Sequence, residues 1–142
     1  MLKTATAIMF VVLVFTTLYG LFLVFAPQTV GGSTLEARSE IVIQDIEEPG
    51  VAETITIMTR HLGVFGLCIS IALFFILFKG FSKGEQWAWW AFLIIGLIVW
   101  IFGLVTQIIE GDTMNMIFHL IGIILFLAGI ILPVKVFFAK RA

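Results

Sequence analysis

Gln107-Ile108-Ile109-Glu110-Gly111-Asp112-Thr113-Met114-Asn115-Met116-Ile117-Phe118-His119 separates two long apolar runs. Residues 86–109 before the break carry no charge, and residues 113–134 after it carry no ionisable group but His119. At 1.5 Å of rise per residue, about 20 apolar residues cross the hydrocarbon of a bilayer. Each flank is long enough, and Glu110-Gly111-Asp112 supplies the polar turn between them. The stretch therefore reads as the tip of a hairpin of two antiparallel membrane spans. It also holds most of the polar groups that a site in a membrane would use.

The rest of the chain repeats that pattern. Of 142 residues, 61% are apolar and 12% charged, about half the charged share of a soluble domain. Most of the surface must face something other than water. Residues 4–35 carry no charge, and their apolar core, residues 8–26, is longer than the roughly 7–15 residues of a cleaved signal. A retained first span is expected, ended by Pro27, with Gly31-Gly32 opening a loop. Residues 31–53 are acidic, with an apolar side at Ile41, Val42, Ile43 and Ile46. That pattern suits either a short surface helix or a strand capping the bundle. Pro49-Gly50 breaks it, and the second span follows, with Arg60 and His61 where it enters the membrane. A basic turn, residues 79–85, leads to Trp87, Trp89 and Trp90, a cluster of indoles typical of the headgroup level. The expected fold is all-α: one integral membrane domain over residues 1–142, a bundle of four transmembrane helices spanning approximately 6–27, 54–81, 86–109 and 114–138.

Charge placement orients the spans. Lys3, Lys79, Lys83, Lys135, Lys140 and Arg141 lie at the termini and in the 79–85 turn; the other two connections hold Arg38 and Arg60. Positive residues stay in the cytoplasm. Both termini are expected inside a cell membrane, with the acidic loop and the Glu110–Asp112 turn outside. With a net charge of −1 and no dense basic cluster, nucleic acid is not an expected partner. The single cysteine, Cys68, excludes an intrachain disulfide and is expected to pack within its span.

Lipid tails give helices no hydrophobic reason to associate, so small residues and buried polar groups must hold them together. His119, Gly122, Phe126, Gly129 and Pro133 share a face of the fourth span; Gly96 and Gly103, continued by Gln107 and Glu110, share one of the third. The second offers Gly63, Gly66 and Ser70, the first Thr16 and Gly20. Arg60, His61, Gln107, Glu110, Asp112 and His119 then gather at the outer leaflet and form the candidate ligand-binding set. An ionisable group inside a span costs roughly 2.5–3.5 kcal/mol on insertion scales and usually faces the bundle interior. For His119 the structural role is a hydrogen bond to Gln107, Asn115 or a carbonyl that fixes register. An Arg60 pair with Glu110 or Asp112 is either structural or binds an anionic headgroup or quinone-like ligand; a further functional alternative is a haem or metal held by His61, His119, Glu110 and Asp112. No HxxH, HExxH or His-x-His spacing occurs, and no catalytic constellation stands out. Trp100, inside the third span, reads as packing. A carrier would carry charge at the midplane or repeated halves, and here the midplane is apolar.

Arg60-His61-Leu62-Gly63 opening the second span, Gly84-Glu85-Gln86-Trp87-Ala88-Trp89-Trp90 opening the third, and His119 in the fourth resemble small four-helix membrane proteins grouped as DoxX-like. The resemblance covers the whole layout through short motifs. It implies a four-span fold and, since some relatives are subunits of quinone-linked oxidoreductases, a membrane redox subunit; it carries over no catalytic residue. The first expectation is a non-enzymatic accessory or structural subunit of a membrane complex or homo-oligomer, with lipid and other membrane subunits or further copies of itself as partners. The second is a quinone-, haem- or metal-binding protein with a polar outer-leaflet site, its cofactor unidentified. The third is a small carrier.

Overall fold

The computed structural model describes residues 1–39, 42–110 and 113–138, apart from the side chains at 37–39, 44, 49, 110, 113–115 and 118. Among these residues the chain is helical and has no strand. Helix α1 spans Leu2–Phe25, α2 Pro27–Ser39, α3 Pro49–Lys79, α4 Gln86–Glu110, α5 Thr113–Ile131 and α6 Val134–Phe138. Single 3-10 turns at Ile43–Asp45 and Phe81–Lys83 sit before α3 and after it. Four segments are long and apolar enough to cross a membrane: Leu2–Phe25, Gly50–Lys83, Gln86–Ile109 and His119–Phe138. Their exteriors expose large apolar side chains, Phe15 at 67%, Phe102 at 71% and Ile109 at 80% among them. Water does not tolerate apolar surface on that scale, and hydrocarbon does. The chain is a multi-pass membrane protein.

The helices cluster into two compact units, Phe15–Ile71 and the remainder, Met1–Val14 with Ala72–Ala142. In the larger unit one buried cluster draws on α1 (Ala5, Met9, Leu13), α3 (Leu73, Leu77), α4 (Ala88, Trp89, Phe92), α5 (Phe126, Ile130) and Phe137 of α6. Portions of all four spans thus meet around one core, which makes this unit a four-helix bundle in its own right. Phe81, from the turn after α3, plugs its end, with ring centroids 5.2 Å from Phe92 and 4.9 Å from Phe137. In a bilayer such contacts stabilise through dispersion at close range.

Within the smaller unit α1 and α3 touch through Gly20 and Gly63. A β-carbon on Gly63 would lie 2.8 Å from the Gly20 carbonyl oxygen and 2.8 Å from Leu23 Cβ. Gly66 behaves differently from expectation: nothing lies within 4 Å of where its β-carbon would stand. It is not part of the contact face. Cys68 is exposed rather than packed.

One further expectation needs correction. Gly31 and Gly32 do not open a loop; they lie inside α2. Between α1 and α2 the helix is interrupted only at Ala26, whose N–H still bonds the Phe22 carbonyl at 2.8 Å, and Pro27 begins a new helix where its missing N–H costs nothing. A β-carbon on Gly31 would meet Thr59 Oγ1 at 2.8 Å, and one on Gly32 would meet Ile43 at 3.1 Å. Close approach of α3 and of the 3-10 turn offsets the roughly 1 kcal/mol helix penalty of each glycine. The acidic segment holds this short helix and a single turn among its described residues, and no capping strand. Helices α5 and α6, with a turn at Leu132–Pro133 between them, together make the fourth span, whose apolar window runs from His119 to Phe138.

Candidate functional site

Helices α4 and α5 pack by inserting rings into glycine gaps. The Phe126 ring fills the place of a side chain at Gly96, with Cζ 2.1 Å from where a β-carbon would be. Trp100 does the same at Gly122, its Cη2 2.2 Å from that position, and His119 does so at Gly103, with Nε2 at 2.6 Å. Moving along α4 from Gly96 to Trp100 to Gly103 takes steps of four and three residues; the partners Phe126, Gly122 and His119 step back along α5 by the same numbers. That is the register of two antiparallel helices in contact on one face. Trp100 is a packing residue, as its position inside the span implied.

This ladder fixes His119. Its ring meets Trp100 edge to face, centroids 5.9 Å apart at 76°, and it is engaged within the fold rather than free. Gln107 lies one turn beyond Gly103 on α4. It is half-buried, and its Oε1 is buried without a hydrogen-bond partner. Between them Thr106 returns its hydroxyl to the Gly103 carbonyl at 2.7 Å and the Phe102 carbonyl at 3.1 Å, so it contributes no free donor. The second buried polar atom without a partner among the described residues is Ser70 Oγ on α3. Its neighbours in type, such as Thr56 and Thr59, bond the carbonyl four residues back.

The remaining members of the expected set are distributed as follows. Arg60 and His61 lie on α3 in the smaller unit, both exposed; Gln107 and His119 lie in the larger one. Glu110 ends α4, but its side chain, like the whole of Asp112, lies outside the described residues, and so does any pairing of either with Arg60. Among the described residues no three His, Cys, Asp or Glu side chains are grouped to hold a metal ion, a statement that does not reach Glu110 or Asp112. One surface concavity of about 310 Å³ is lined by Gln28, Ile43, Ala52, Glu53 and Thr56, at the start of α2 and α3.

Two residues carry a structural task that spacing alone did not reveal. Pro133 lacks an N–H and ends the α5 ladder, leaving carbonyls of its last turn without helical donors. The Trp89 indole N–H supplies one to the Ile130 carbonyl at 3.0 Å, fully buried. One turn earlier on α4, Gln86 Nε2 donates to the Phe137 carbonyl at 2.9 Å. An unsatisfied carbonyl in hydrocarbon costs several kcal/mol, so Gln86 and Trp89 hold the α5–α6 break in place. The three clustered tryptophans therefore divide: Trp89 is buried, while Trp87 and Trp90 are exposed at 53% and 49%. The pairing of an i, i+3 donor set with a proline near the end of the next span was the available signal.

No family model, curated protein or solved structure matches the chain.

Proposed function

We propose that this protein is an accessory or structural subunit of a larger membrane complex, or of a homo-oligomer, with no chemistry of its own. The observation that carries this reading is the ring-into-glycine ladder. His119 and Trp100, the two residues of α4 and α5 best suited to chemistry or to covering a cofactor, are used to lock the helices together. Gln86 and Trp89 are likewise used on backbone carbonyls. The protein lies in the cell membrane with both termini cytoplasmic, in keeping with the distribution of lysine and arginine. The DoxX-like resemblance, resting on Arg60-His61-Leu62-Gly63, on residues 84–90 and on His119, is part of the same proposal and favours partnership with an oxidoreductase subunit.

The test is assembly in mild detergent. Gly122→Leu and Gly129→Leu are expected to reduce the amount of assembled complex more than Glu110→Gln does, with native mass spectrometry giving subunit stoichiometry. A wild-type protein that is monomeric, without protein partners, and carries a small molecule overturns the subunit reading.

A second reading is a ligand site in the outer leaflet, drawing on Gln107, Glu110, Asp112 and His119. The observation in its favour is Gln107 Oε1, a buried acceptor with no partner. A ligand with a hydroxyl or N–H donor, such as the reduced, quinol form of a quinone-like molecule, would satisfy it. Haem or metal is distinguished from quinone by the visible spectrum and metal content of the purified protein.

A further inference from the structure

We propose that the end of the larger unit formed by the N-terminus, the 81–83 turn and α6 binds the anionic headgroup of an acidic phospholipid. The placement comes from Gly84. Its φ of +74° closes the 3-10 turn in the left-handed region, where a side chain is strained. The position of its missing β-carbon lies 3.7 Å from Val136 Cγ1 and 3.8 Å from Leu2 Cδ2. Leu2, Gly84 and Val136 therefore meet, and the residue next to each in sequence is a lysine: Lys3, Lys83 and Lys135. Lys79 closes α3 just before the same turn, in which the Gly80 carbonyl accepts the N–H groups of Lys83 and Glu85 at 3.0 and 3.1 Å.

All four lysines are exposed, and none has a carboxylate partner among the described residues. The single acid of the turn, Glu85, is half-buried and already engaged within the fold. Depth is set by Trp87, which is half-exposed and fixed beside the turn, its Cζ2 2.5 Å from the β-carbon position of Gly80. Exposed indoles sit at the headgroup level. The lysines are thus held level with the lipid phosphates, by a rigid glycine turn, with their charge unspent. A mobile polybasic tail would meet the same lipids by charge alone; this vertex adds fixed geometry.

The experiment uses the full chain in a neutral detergent, with phosphatidylglycerol or phosphatidylcholine added to the micelles and bound lipid counted by native mass spectrometry. The wild type is expected to retain phosphatidylglycerol over phosphatidylcholine, with retention falling as salt rises. Each lysine near an anionic surface is worth roughly five-fold in affinity, so Lys3→Gln, Lys83→Gln and Lys135→Gln combined should weaken phosphatidylglycerol binding on the order of a hundredfold. The three Lys→Arg replacements should retain it. Equal retention of both lipids by the wild type overturns the proposal without need of any variant. So does undiminished phosphatidylglycerol binding by the triple Gln variant.

Discussion

The His119 imidazole stands over Gly103, with Nε2 2.6 Å from where a β-carbon would be. A side chain at Gly103 and a ring at His119 therefore exclude one another. The same exclusion holds at Gly96 with Phe126 and at Gly122 with Trp100.

Gly96→Ala and Gly122→Ala should each lower stability by about 1–3 kcal/mol, the usual cost of overpacking, even though alanine is the better helix former. Rigid rings at 2.1 and 2.2 Å cannot fold away as a flexible chain end could. Thermal unfolding in detergent reads the effect. Phe126→Leu in the Gly96→Ala background should restore part of it, and an unchanged or raised midpoint for both single variants would count against the ladder.

Gly63 and Gly66 of α3 should part company. Gly63→Ala meets backbone oxygen and two side chains inside 3 Å, while Gly66→Ala meets nothing within 4 Å. The first is expected to destabilise by about 1–3 kcal/mol, the second to stabilise by up to about 1 kcal/mol through helix propensity. Equal effects in the same unfolding assay would contradict the assignment of faces.

Trp89→Phe removes the donor to the Ile130 carbonyl and should cost about 1–3 kcal/mol, the penalty of a buried acceptor left unpaired. Pro133→Ala restores a backbone N–H and lets α5 run on, so that Val134 can bond that carbonyl. The loss from Trp89→Phe should then shrink in the Pro133→Ala background. A double-mutant cycle measures the coupling, and additivity within error would show that indole and proline act separately.

Gln107→Leu and Ser70→Ala both remove a buried polar group that has no partner. In ligand-free protein each should be neutral or stabilising, by up to about 2 kcal/mol. The ligand reading separates them: a bound small molecule should be lost from Gln107→Leu and kept by Ser70→Ala. Retention by both would remove Gln107 from any site.

The number of spans was legible from charge-free length alone, because a bilayer demands about 20 apolar residues whatever the packing. The α4 and α5 faces were legible too, since Gly96, Gly103, His119, Phe126 and Gly122 recur at spacings that place them on one side of a helix. What the spacing did not contain was the partner of each glycine. Gly31 and Gly32 carry ordinary loop signals, and only the approach of Thr59 and Ile43 makes a helix affordable there. Gly66 fits the stripe in sequence but faces nothing. Trp89 was legible as an aromatic near an interface; its task is defined by a proline 44 positions away. For the candidate site, sequence named the side chains, and structure explains His119 and exposes the unmet acceptor of Gln107.

The link from Trp89 to Ile130 also bears on biogenesis. A ribosome delivers α4 before α5, so the indole is already threaded into the bilayer when the proline-broken segment arrives. The nascent chain thus carries its own escort for a stretch whose amide ladder fails. Reversing the order of the two helices by circular permutation would keep every contact of the finished molecule and still leave that carbonyl waiting, unescorted, in oil.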